Sequence, residues 1–104
     1  MSEAFNLAGG QKGAVSEFHS NWGDWPVNNA SAGIASASSI QGKYVLKVTV
    51  EDGSIIAKIR GKGEAAAGIQ NKELRLGVTF TGGSYKWACN SDADNKYLPA
   101  ACRK

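Results

Sequence analysis

The chain has 104 residues, enough for one hydrophobic core and too few for two independent domains. Apolar residues make up 42% and charged residues 20%, a globular balance that excludes wholesale disorder. The 12 lysines and arginines against 9 acidic residues give a formal charge of +3 spread along the chain, so composition writes no dedicated nucleic-acid surface.

In chain order, the first element is helical. Ala4, Phe5, Ala8, Val15, Phe18 and Trp22 recur close to the i, i+3, i+4, i+7 spacing of an amphipathic helix. That spacing predicts one helix over residues 1–22, weakened by Gly9, Gly10 and Gly13, each costing up to about 1 kcal/mol relative to alanine. Asp24-Trp25-Pro26 ends it. Residues 23–42 then read as a long connection of Asn, Ala, Ser and Gly with Ile34 and Ile40 as its large anchors. A connection of that length in a small domain points to function or to an interface.

From Lys43 the pattern changes to a period of two. Tyr44, Leu46, Val48 and Val50 share one face of a strand, and Asp52-Gly53 is a type I′ hairpin signal leading to Ile55, Ala57 and Ile59. After a Gly- and Ala-rich connection from Gly61 to Lys72, Leu74, Leu76, Val78 and Phe80 alternate again. Gly82-Gly83 then turns the chain into Tyr85, Trp87 and Cys89. The expectation is an α+β fold: an N-terminal helix packed on a four-stranded antiparallel meander over residues 43–89.

The last feature is the pair Cys89 and Cys102, which encloses a polar, turn-forming run that reads as a surface display element. One pair of cysteines and the single His19 fall short of the usual four zinc ligands, so a disulfide in an exported protein is the favoured reading over free thiols or a metal. Closing that loop stabilises by roughly 3 kcal/mol in the chain-entropy treatment.

No constellation for catalysis, metal or cofactor stands out. His19 has no nucleophile or orienting partner near it in sequence, and a partly packed helix histidine is the simpler reading. Gly9-Gly10-Gln11-Lys12-Gly13 lacks the spacing of a phosphate loop, and Asp92, Asp94 and Asn95 lack the further carboxylates and turn glycine of a calcium loop. Asn29-Ala30-Ser31 fits the N-glycosylation acceptor, a match readily made by accident in an Asn- and Ser-rich loop. Of the aromatics that could line a sugar or peptide site, Trp22, Tyr85 and Trp87 are assigned to core packing. Trp25 and Tyr97, in irregular segments, remain the candidates.

Gly83-Ser84-Tyr85-Lys86-Trp87-Ala88-Cys89, followed by Ser91-Asp92-Ala93-Asp94-Asn95-Lys96-Tyr97-Leu98-Pro99 and Cys102, resembles the C-terminal signature of type IVa pilins, most of all the pseudomonad type. Ile40-Gln41-Gly42-Lys43-Tyr44-Val45-Leu46-Lys47-Val48-Thr49 is similar to the first strand of the same pilins, and Ser2-Glu3-Ala4 to the middle of their long helix. The resemblance implies the pilin fold in a single domain over 1–104, with an αβ-loop at 23–42 and a disulfide-bounded D-region at 89–102. It also implies that the chain is a headgroup lacking the apolar half-helix with its processed, methylated start. No signal peptide is legible at Met1-Ser2-Glu3, and the expectation that reconciles this with a disulfide is a fragment whose natural N-terminus has been removed.

By the same resemblance the protein is not an enzyme. It is expected to be a structural subunit of an extracellular type IV pilus, serving twitching motility, adhesion and biofilm formation and anchored in the inner membrane before assembly. Its expected partners are other pilin subunits and, through the loop from Ser91 to Pro99, a host-cell glycan receptor. The alternative is a minor or competence pilin that binds DNA, with Lys58, Arg60, Lys62, Arg103 and Lys104 as candidate contacts, or a glycan-binding adhesin module. DNA binding would fall steeply with salt.

Overall fold

In the computed structural model, which describes residues 2–61 and 67–103, the N-terminal segment forms two helices, α1 (Ser2–Gly9) and α2 (Lys12–Trp22). The single helix expected over 1–22 is therefore interrupted. At the joint the Gln11 amide reaches back three residues to the Ala8 carbonyl rather than four, and the Gln11 side chain donates to the Leu7 carbonyl at 3.2 Å. The adjacent glycines make this break inexpensive, because they add little helix propensity to defend. Gly23, at φ 75°, ends α2 by donating to the His19 carbonyl at 2.8 Å.

The sheet is an antiparallel meander in the order β1-β2-β3-β4, formed by β1 (Val45–Glu51), β2 (Ser54–Ile59), β3 (Glu73–Thr81) and β4 (Ser84–Ser91). Both hairpin turns have two successive positive φ angles, 49° and 86° at Asp52 and Gly53, and 60° and 81° at Gly82 and Gly83. Paired positive φ matches the right-handed twist of the flanking strands, which is why those residue pairs sit there. β4 continues past Cys89 to Ser91, so the sheet overlaps the start of the bridged loop.

Register decides the core. The rows Val50-Ile55-Leu76-Cys89 and Val48-Ala57-Leu74-Ser91 lie side by side on the inner face. Ala4 and Ala8 of α1, both fully buried, lie in the core with these rows, and their small side chains let the helix backbone approach the sheet closely. One strand departs from the expected alternation. Val45 pairs with Ile59 and Lys47 with Lys58, leaving Leu46 as the extra residue of a β-bulge. The inner face of β1 is thus Val45, Val48 and Val50, while Leu46 is 41% exposed.

Two polar side chains fasten the connection between α2 and β1. The Glu3 carboxylate accepts the backbone N–H groups of Lys43 (3.1 Å), Tyr44 and Val45 (both 2.9 Å), tying the first turn of α1 to the entry of β1. Asn29 opens a short helix, α3 (Asn29–Ala32), and its buried side chain bonds along the free edge of β1.

The aromatic assignments change as well. Tyr85 and Trp87 are partly buried, but Trp22 is 73% exposed and does not join the core. Val15 and His19, four residues apart, form the inward face of α2, which turns Phe18 and Trp22 toward its flank. Phe80 also ends 47% exposed, its ring 4.7 Å from that of Tyr85.

Candidate functional site: the bridged C-terminal loop

The loop begins as a continuation of β4 and is bonded at once to β3. Ser91 Oγ donates to the Glu73 carbonyl, and Asp92 Oδ1 accepts the Glu73 N–H at 2.9 Å, so both backbone groups of Glu73 are taken by the loop. Ser91 Oγ also accepts the Ala93 N–H at 3.2 Å, which turns Ala93 inward to 3% exposure. A carboxylate committed to a backbone amide in this way is a turn former, and it accounts for Asp92 without calcium.

Two 3-10 turns follow. In the first, Asn95–Tyr97, the Tyr97 and Leu98 amides reach back to Asp94 and Asn95. Leu98 enters the core, and the Tyr97 hydroxyl lies against Gly68, where a Cβ would collide with it. In the second, Ala100–Cys102, the Cys102 amide donates to Pro99 at 2.9 Å. Cys102 is bridged to Cys89 with a Cα–Cα separation of 4.6 Å, and Arg103 Nε closes the loop on the Leu98 carbonyl at 2.9 Å.

The result is a loop with alternating fates. Ser91, Ala93, Leu98 and Cys102 point inward as anchors, while Asp92, Asp94, Asn95, Lys96, Ala100 and Ala101 are exposed. Its inward residues anchor it to the core, and its exposed residues include Asp94, Asn95 and Lys96. Tyr97 is half-buried, with the Lys96 ammonium 5.2 Å from its ring centroid. Among the described residues no group of three or more His, Cys, Asp or Glu side chains is placed to hold a metal ion.

Among the described residues, each of the basic candidates bonds to its own chain. Lys58 Nζ donates to the Asn71 carbonyl at 3.0 Å and lies 4.0 Å from the Glu73 carboxylate. Arg60 holds the Gly42 carbonyl through Nε and Nη2 and the Gln41 side chain through Nη2 at 2.6 Å. Arg103 serves the loop closure described above, and Lys62 and Lys104 lie outside the described residues. Sequence reasoning missed that the outer face of the sheet sets Lys47 directly opposite Lys58, a relationship that the register of the Asp52-Gly53 hairpin creates, before the slip at Leu46.

The remaining singled-out residues have structural roles. His19 Nδ1 lies 2.9 Å from the Tyr85 hydroxyl, and its ring stacks on Trp25 at 4.0 Å, so it joins α2 to the segment that follows it and to β4. The Asn29 amide donates to the Ala35 and Val48 carbonyls, both at 3.0 Å, which makes that acceptor sequon inaccessible in the folded protein. Among the described residues no helix is long and apolar enough to cross a membrane.

With this geometry in place, comparison with known proteins identifies the family. The pilin family, a bacterial filament family, matches residues 1–103. The fimbrial protein EcpC of Eikenella corrodens is 53% identical over 107 residues, covering 99% of this chain and 68% of that protein. The type IV major pilin protein PilE of Neisseria gonorrhoeae is 42% identical over 123 residues, covering 99% and 73%. A fimbrial protein of Neisseria meningitidis serogroup B is 38% identical over 126 residues, covering 99% and 74%. The chain belongs to the pilin family. Like other pilins it is a structural protein and not an enzyme, and its helix-on-meander fold with a bridged C-terminal loop is the pilin fold.

Proposed function

We propose that this chain is a structural subunit of a type IV pilus that serves surface attachment, twitching motility and biofilm formation. In this reading it forms the globular part of a subunit that is held in the inner membrane before assembly and then joins other pilin subunits in an extracellular filament. Residues 23–42 are its αβ-loop and 89–102 its D-region, within a single domain. The observation that carries the proposal is the match to major pilins along essentially the whole chain, down to the bridged loop. Deleting the gene in the producing bacterium should remove surface filaments and twitching zones, and an antibody raised to this domain should decorate wild-type filaments along their length. Filaments that persist in the deletion strain and never bind the antibody would refute it.

Within this reading the loop from Ser91 to Pro99 is the element that meets a host-cell surface. Its support is the combination of buried anchors with exposed Asp94, Asn95 and Lys96. Purified filaments carrying Cys89→Ser and Cys102→Ser should lose binding to epithelial cells, and unchanged binding would remove the loop from that role. The DNA-binding alternative is less favoured, because Lys58, Arg60 and Arg103 already bond to backbone carbonyls of their own chain.

A further inference from the structure

A phenol and an imidazole meet where α2 lies against β4. The Tyr85 hydroxyl is 2.9 Å from His19 Nδ1, a hydrogen-bond distance at which Nδ1 accepts the phenol proton when the ring proton sits on Nε2. Two further aromatic rings close round the pair. His19 stacks on Trp25 at 4.0 Å, and the Tyr85 ring lies 6.0 Å from Trp25 and 4.7 Å from Phe80. Among the described residues the cation–ring contacts fall elsewhere, and no lysine or arginine lies over the Tyr85 ring.

The chain has three tyrosines, and the other two are surrounded differently. Tyr44 has the Lys43 ammonium 5.6 Å from its ring centroid, and Tyr97 has the Lys96 ammonium at 5.2 Å. All three rings are half-buried, so access does not choose among them. Charge and proton acceptance do. Withdrawing an electron from a phenol leaves a radical cation that must shed its proton, so the loss is easiest where a positioned base already holds that proton. A fixed ammonium beside the ring opposes the positive charge that develops. Tyr85 has the base without the cation. Tyr44 and Tyr97 have the cation, and the one histidine of the chain is committed to Tyr85.

We infer that Tyr85 is the tyrosine at which this domain undergoes one-electron oxidation, with His19 as its proton acceptor, and that it is the preferred tyrosine for nitration by carbonate radical and nitrogen dioxide. The electron passes to the carbonate radical, giving carbonate, while the phenolic proton passes to His19 Nδ1, giving imidazolium. The imidazolium returns that proton to carbonate, which leaves hydrogencarbonate and a neutral tyrosyl radical. Nitrogen dioxide then bonds to the ring carbon beside the C–O carbon. Transfer of the hydrogen on that carbon to the oxygen restores the phenol as nitrotyrosine. Trp25 feeds the same site, because an electron withdrawn from its indole is replaced from Tyr85 across 6.0 Å.

The test exposes the 104-residue chain to peroxynitrite in hydrogencarbonate buffer, which releases both radicals, and maps nitrotyrosine by peptide mass spectrometry. Tyr85 should carry at least about fivefold more nitro groups than Tyr44 or Tyr97. His19→Phe keeps a ring against Trp25 and removes the acceptor; it should lower nitration at Tyr85 about fivefold or more and leave Tyr44 and Tyr97 unchanged. A chain carrying Tyr44→Phe and Tyr97→Phe isolates the Tyr85 radical for pulse radiolysis in hydrogencarbonate. Its formation should slow about twofold or more in deuterium oxide, a response to proton motion that packing alone does not produce. Nitration spread equally over the three tyrosines, or concentrated on Tyr44 or Tyr97, overturns the inference. Nitration at Tyr85 that His19→Phe leaves unchanged also overturns it, as does an unchanged rate in deuterium oxide or oxidation confined to tryptophan. If His19→Phe does not fold, the isotope measurement decides, since His19 is intact in it.

Discussion

The side-chain oxygen of Asn29 accepts the backbone N–H of Val50 at 2.6 Å, while its amide nitrogen donates to the Val48 carbonyl at 3.0 Å. One side chain thereby bonds to β1 as a fifth strand would, and covers part of an edge that would otherwise invite pairing with another chain.

Asn29→Ala should accordingly be among the more costly polar substitutions. It strips partners from three backbone groups, the Val50 N–H and the Val48 and Ala35 carbonyls, and a group left buried and unsatisfied costs about 1–3 kcal/mol. The expected loss is about 2–4 kcal/mol by urea unfolding, with an unchanged denaturant slope. Asn29→Asp should not rescue it, because an oxygen would then face the Val48 and Ala35 carbonyls. A loss below about 0.5 kcal/mol would mean that water replaces the amide without penalty.

Glu3 makes a comparable tie from the other side. Its carboxylate gathers three backbone N–H groups, and hydrogen bonds to a charged acceptor are stronger than neutral ones. Glu3→Gln preserves shape but places an NH₂ where an acceptor is required. A loss of about 1–3 kcal/mol is expected, together with faster hydrogen exchange at Lys43, Tyr44 and Val45. Exchange unchanged at those three amides would show that the strand entry holds without the carboxylate.

Removal of the bridge by Cys89→Ala with Cys102→Ala should cost about 3 kcal/mol, since the cysteines are 13 residues apart and their link restricts the unfolded chain. The sheet should survive, because its own rows remain buried. Amide protection should fall selectively from Ala93 to Arg103, whereas protection lost uniformly over the sheet would show that the loop is integral to the whole core.

Two glycines in equivalent turns should respond differently to alanine. Gly82→Ala meets open space and carries only the backbone strain of its positive φ, about 1–2 kcal/mol. Gly53→Ala carries that strain and also brings a Cβ within 3.0–3.1 Å of the Trp25 side chain. Thermal denaturation should therefore show the larger loss for Gly53→Ala, with the Trp25 fluorescence environment disturbed in that variant alone. Equal losses would mean that Trp25 yields freely.

Much of the fold was legible from local patterns, and the misses have identifiable causes. Alternation from Lys43 to Cys89 and the pairs Asp52-Gly53 and Gly82-Gly83 foretold four strands in meander order. The bulge was hidden because Val45 and Leu46 are both apolar, so the pattern reads acceptably in either register. Trp22 lies on the periodic stripe of α2, yet the inward face is set by Val15 and His19, and His19 was not counted as apolar. The bridge and the loop were visible through spacing and resemblance, whereas the bonds from Ser91 and Asp92 to Glu73 join positions 18 and 19 residues apart.

The sequence by itself determined the periodicities, the turns and the cysteine-bounded segment, because each is carried by a few consecutive residues whose backbone preferences act locally. Only the tertiary structure decided that Asn29 guards β1, that Glu3 fastens its entry, and that His19 meets Tyr85. Those roles depend on which distant groups a side chain meets after packing, and residue type and local spacing do not specify that meeting.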